Sequence, residues 1–183
     1  IQKRLSGNYV SLRFPTALSL KEIQGSGFPD ATSFEPNIPR LGWNLVRGPN
    51  RAHLGYVVRS SPSADEVVGY AGPSETLIAI EADGLRLREV KLRTTYDTAE
   101  YVSRIQEQEP DPQGRTFFKD LTKWTTREWA EFDFRKGELD TVSGATLTSY
   151  GIAKGLQTRF ADDAHGGQRA KQDTQQRLRT AAL

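Results

Sequence analysis

Five of the nine prolines fall within the first fifty residues, at Pro15, Pro29, Pro36, Pro39 and Pro49. Proline fixes φ and donates no backbone hydrogen bond, so no long helix and no central strand can run through a segment punctuated this often. Residues 1–50 are therefore expected to wrap, mostly in irregular conformation, around a core built from the rest of the chain. One short helix is expected over residues 16–24, where Thr16 can cap and Leu20 and Ile23 share a face. From Leu54 the texture changes to apolar and β-branched runs: Tyr56-Val57-Val58, Val67-Val68-Gly69-Tyr70, Leu77-Ile78-Ala79-Ile80 and residues 85–92. Each reads as a strand. Between the last two, Glu81-Ala82-Asp83-Gly84 carries the Asp-Gly pair of a tight hairpin. Leu85 and Leu87 alternate in one phase and Val90 and Leu92 in the other, which predicts a bulge near Arg88-Glu89.

After these strands the pattern turns helical. Residues 98–108 lack Gly and Pro, a second short helix should include Phe117, Phe118 and Leu121, and the aromatics of residues 124–134 suit ordinary core packing. The strongest helix begins near Thr148, with Ile152, Leu156 and Phe160 at four-residue spacing and Ala153 beside them. Gly151 and Gly155 flank that stripe and would admit another backbone closely. Residues 161–183 are polar and read as a solvated tail or linker, leaving 51–160 as the core.

Composition narrows the chemistry. A chain of 183 residues suits one domain, and no cysteine is present, which excludes disulfides, thiolate nucleophiles, iron–sulfur clusters and cysteine-bound zinc. Two histidines leave little for a metal site, so no metal is expected. With 25 Lys and Arg against 23 Asp and Glu the net charge is +2, too balanced to argue for nucleic acid. No run approaches the roughly 18 consecutive apolar residues of a membrane helix, so no span is expected within this chain. It begins at Ile1 and contains no methionine, which predicts a processed or trimmed piece that a signal or anchor could precede.

Whatever chemistry occurs must use hydroxyls, carboxylates or a borrowed cofactor. Attention falls on Asp140-Thr141-Val142-Ser143-Gly144-Ala145-Thr146-Leu147-Thr148-Ser149, at the entrance of the last helix. Small hydroxyl residues there can simply cap the helix. They can equally build a phosphate site: free N–H groups and the positive end of the helix dipole point outward, Gly144 permits close approach, and Ser143, Thr146 and Thr148 add hydroxyls. Tyr150 and Lys154 have the Tyr-x-x-x-Lys spacing of short-chain dehydrogenases, but Gly25-Ser26-Gly27-Phe28-Pro29-Asp30 lacks the third glycine of a dinucleotide turn and follows no clear strand.

Ser143-Gly144-Ala145-Thr146, with Asp140 upstream, resembles the flavinylation motif of the FMN-binding domain family, which includes the RnfG and NqrC subunits of membrane redox pumps and the extracytoplasmic domain of NosR-type proteins. Similar blocks follow in order and spacing: Phe28-Pro29-Asp30-Ala31-Thr32-Ser33-Phe34, Leu54-Gly55-Tyr56-Val57, Val68-Gly69-Tyr70-Ala71-Gly72-Pro73 and Tyr96-Asp97-Thr98-Ala99-Glu100-Tyr101-Val102 look most like NosR-type proteins. Where relatives commonly read Glu-Thr-Pro-Gly, this chain has Asp97-Thr98-Ala99-Glu100, which keeps the acid and hydroxyl but loses the rigid turn.

The resemblance implies a single α+β domain with a bent antiparallel sheet and flanking helices. It also implies FMN, joined by a flavin transferase through its phosphate to Thr146, with Thr148 and Ser149 next in line as acceptors. Ser143, Gly144, Ala145 and Thr148 are expected around the phosphate, and Asp140 either orients the acceptor, helps recruit the transferase or is a plain turn carboxylate. The flavin ring is expected at Tyr96-Asp97-Thr98, unless Thr98 merely caps a helix and Tyr96 packs on the sheet; residues 124–134 are the next surface. Such a domain would be an electron carrier rather than a stand-alone enzyme, on the extracytoplasmic, periplasmic side, anchored to a membrane in the intact protein. Its partners would be the transferase and redox proteins. The rival reading is a sensing or docking module that keeps the fold without flavin.

Overall fold

The computed structural model describes residues 14, 17–37, 40, 42–137 and 139–166. Thr16, expected as a cap, and most of the polar tail lie outside these.

Five strands form one antiparallel meander in chain order: β1 (Ser33–Pro36), β2 (Trp43–Arg47), β3 (His53–Arg59), β4 (Ser74–Glu81) and β5 (Leu87–Thr95). Five α-helices accompany them among the described residues: α1 (Leu20–Gln24), α2 (Ala99–Gln106), α3 (Phe117–Asp120), α4 (Thr126–Ala130) and α5 (Thr146–Ala164). The domain is α+β, as expected. The hairpin turns at Gly84, whose φ of 70° suits glycine, and Gly84 N–H donates to the Glu81 carbonyl. Ala79 pairs with Glu89 but Ile80 with Leu87, so Arg88 is the extra residue and the bulge falls where the alternation breaks.

Three expectations need correction. Residues 1–50 do hold a central strand, since β2 lies within them and pairs with β1 on one side and β3 on the other. The prolines permit this because Pro36 ends the edge strand and Pro49 follows β2, positions where no ladder donor is missed. Val67-Val68-Gly69-Tyr70 is not a strand. Only an isolated bridge joins Val68 to Pro73, and the Gly69 N–H reaches the Gly72 carbonyl at 3.0 Å, closing a tight loop. Finally, α1 starts at Leu20, capped by Ser19, because Ser19 and Glu22 satisfy each other's backbone N–H groups in a capping box.

β4 is buried along both faces, which explains its unbroken apolar run. Ile78 and Ile80 pack with Trp43, Val58 and Val90 against α5, while Leu77 and Ala79 pack with Val46 and Val57 under Ile23 and Phe28. The N-terminal segment thus does cover one face. Trp129 and Phe132 lie in the first cluster, with Trp124 and Phe134 packed against it, as ordinary core. α5 begins two residues before the expected start, and Ile152, Ala153, Leu156 and Phe160 are all buried.

Candidate functional site

Thr146 is the first residue of α5, and no side chain caps the helix and no acid lies in its first turn. The backbone enters through Gly144 at φ 76°, a conformation that strains any residue with a Cβ. Ala145 N–H closes the turn on the Val142 carbonyl at 2.9 Å. Ser149 pins this loop to the helix: its hydroxyl donates to the Ala145 carbonyl at 3.0 Å and accepts from Val142 N–H at 3.2 Å. The hydroxyls therefore divide into two classes. Ser143 and Thr146 face solvent, and among the described residues no hydrogen bond holds that of Thr146. Thr148 is 1% exposed and Ser149 0%, and both hydroxyls are engaged internally.

The Thr148 hydroxyl donates to Asp97 Oδ2 at 2.8 Å. The same carboxylate accepts the backbone N–H of Tyr70 at 3.0 Å, of Ala71 at 2.8 Å and of Thr98 at 2.7 Å. Partial burial pulls the Asp97 carboxyl upward, but the bonds from Ala71, Thr148, Thr98 and Tyr70 outweigh it and hold it below the ordinary value. Asp97 thus ties together the loop of residues 67–73, the start of α2 and the first turn of α5. Glycines make the junction possible: a Cβ on Gly69 would lie 2.2 Å from Asp97 Oδ2, and one on Gly151 2.7 Å from the Gly69 Cα. Gly151 is the close backbone approach expected from the sequence, whereas a Cβ on Gly155 would meet Ala64 at an ordinary 3.7 Å.

Of the other residues singled out, Thr98 occupies the cap position of α2 but its side chain makes no cap bond. Tyr96 is exposed, its ring 5.2 Å from that of Phe14. Asp140 is exposed in the loop before the motif. Lys154 lies 5.3 Å from the Phe134 ring centre. Among the described residues no group of three or more His, Asp or Glu is placed to hold a metal.

An open cleft of about 240 Å³ lies beside the helix entrance, walled by Tyr70, Tyr101 and residues 144–148. The two tyrosine rings meet edge to face, 4.7 Å apart at 73°. Arg104, one turn beyond Tyr101 on α2, pairs with Glu100 at 2.8 Å, and its Nη1 lies 3.1 Å from where a Gly144 Cβ would stand. Sequence reasoning missed all three. Tyr101 and Arg104 are one helical turn apart and so share a face, a signal that was available; nothing local indicated that Tyr70 would reach it.

The family model described as FMN-binding domain matches residues 69–160, from the glycine wedged against Asp97 to the last apolar residue of the α5 stripe. No curated protein and no solved structure matches the chain. Since the match covers just over half of the 183 residues and includes the whole α2–α5 junction, the chain belongs to the FMN-binding domain family, with FMN as its cofactor.

Proposed function

We propose that this domain carries one FMN joined through its phosphate to the Thr146 hydroxyl and passes electrons between partner proteins of a membrane-associated, extracytoplasmic redox system. The observation that carries the attachment is the contrast among neighbouring hydroxyls: Thr146 is exposed and uncommitted in the cleft wall, while Thr148 and Ser149 are buried and bonded. The residues present fit a phosphate linked there. The uncapped first turn of α5 supplies N–H groups and the positive end of its dipole, Arg104 supplies a cation, and Ser143 a further donor. Asp140, exposed in the preceding loop, would orient the acceptor or meet the transferase, or serve as a plain turn carboxylate.

Cleft size favours a tether. Sites that enclose small ligands without a covalent bond run to about 300–1,000 Å³, and this one, at about 240 Å³, is smaller and open. A covalent link keeps the cofactor at high effective concentration without enclosure. The threonine hydroxyl is a weak nucleophile with no base bonded to it, so the bond requires a separate flavin transferase. When attached, FMN supplies the redox chemistry. The chain positions it and balances its charge.

Co-expression of Thr146→Ala with a flavin transferase tests the reading by intact mass. The parent should gain one FMN adduct and the variant none, with stability changed by less than about 0.5 kcal/mol because the side chain is exposed and unbonded. An adduct of the same mass on the variant overturns it.

A further inference from the structure

We propose that the Tyr70 and Tyr101 pair is the surface on which the isoalloxazine ring of the attached FMN rests, an inference that builds on attachment at Thr146. The cleft that contains Thr146 in its wall has these two rings as its other wall. A group tethered at Thr146 therefore starts inside it.

The surface expected from the sequence is poorly placed to compete. A carboxylate offers about four lone-pair sites, and Asp97 already accepts from Tyr70, Ala71, Thr98 and Thr148, so none is left for a ring N–H. Tyr96 sits outside the cleft lining, beside Phe14. In residues 124–134, Trp129 and Phe132 are buried in the core. Among the described residues the other exposed aromatic is Tyr150, 42% exposed and one turn along α5 from Thr146, but its ring lies 4.8 Å from that of Phe134 and it does not line the cleft.

Tyr70 is 56% exposed. Its loop is fixed because its own N–H and that of Ala71 bind Asp97, and Gly69 packs against Thr148 and Gly151. Tyr101 stands on α2, whose first turn is anchored by the same carboxylate through Thr98 N–H. Both rings are thus preorganised relative to Thr146, and an edge-to-face pair leaves aromatic face free for a third ring. Phenols are electron-rich. In contact with an excited oxidised flavin, a phenol gives it one electron and receives it back, so the excitation is lost without light and both groups return unchanged.

The test is the fluorescence yield of the flavinylated protein, with intact mass as the count of attached FMN. The Tyr70→Phe, Tyr101→Phe double variant keeps both rings but removes the phenols and the hydrogen bond between them. It should retain one adduct and fluoresce severalfold more than the parent, while Tyr150→Phe should match the parent. A double variant as dim as the parent, or brightening by Tyr150→Phe instead, overturns the ring site while leaving the attachment intact. Absence of an adduct on the parent overturns the attachment, and the ring site with it.

Discussion

At the Thr146 end of α5 the first two residues are exposed, no side chain caps the helix, and the Asp97 carboxylate ties the turn to the loop of residues 67–73 through Thr148. Roughly 20–26 Å along the same 19-residue helix, the polar groups of Arg159 and Asp163 are consumed internally. Arg159 is 1% exposed and pairs with Asp163 at 3.2 Å and with the Ser63 hydroxyl at 3.1 Å, while Trp43 Nε1 donates to Asp163 at 2.9 Å. Burial pushes the Arg159 guanidinium down and the Asp163 carboxyl up from their ordinary values. The difference separates two uses of polarity on one helix. Groups left for water or a ligand contribute little to folding, whereas a buried charge network makes each member costly to remove.

The largest effect should come from Arg159→Met, which takes the paired cation from the largely buried Asp163 and should cost about 3–5 kcal/mol in urea unfolding. A loss below about 1 kcal/mol would show that the two ends do not differ in this way.

A sharper comparison uses the two glycines within α5. Gly151→Ala drives a Cβ to 2.7 Å from the Gly69 backbone, so helix and loop must part, at a cost of about 1–3 kcal/mol and with weakened flavinylation. Gly155→Ala meets only Ala64 at 3.7 Å and should be neutral or stabilising by up to about 1 kcal/mol. Equal effects at the two positions would refute the tight junction at the site end.

The smallest effect is in pH dependence, where the two ends should have opposite signs. Asp97 is held below its unfolded value of about 3.9, so its contribution is present above that pH and lost as pH falls through its lower folded value. Asp163 is held above its unfolded value, so its stabilising contribution is present below that value and is lost as pH rises through the folded one. Relative to the parent, Asp97→Asn should flatten the acid loss of stability, and Asp163→Asn should remove a decline on the rising side. Parallel shifts for both variants would contradict the contrast.

The hairpin at Asp83-Gly84, the bulge at Arg88 and the buried stripe of α5 were legible because each is written in neighbouring residues with a period of two or four. Proline density misled about β1 and β2, since it reports where a strand ends more than whether one exists. Val67-Val68 carried strand composition, yet Gly69, Gly72 and Pro73 closed it into a loop.

For the site, the hydroxyl-rich helix entrance around Thr146 was visible in the residue types, but the role of Asp97 was not. Its bond to Thr148 joins residues 51 positions apart, and its bonds to Tyr70 and Ala71 cross the whole β4–β5 hairpin. By itself the sequence determined β3, β4 and β5, the helix entrance and its hydroxyls, because propensity, alternation and turn chemistry act over a few residues. Only the tertiary structure decided which hydroxyl stays free, which carboxylate is used up, and that Tyr70, Tyr101 and Arg104 meet beside Gly144. Those outcomes depend on how closely two backbones approach at Gly69 and Gly151, a distance set by packing across the domain.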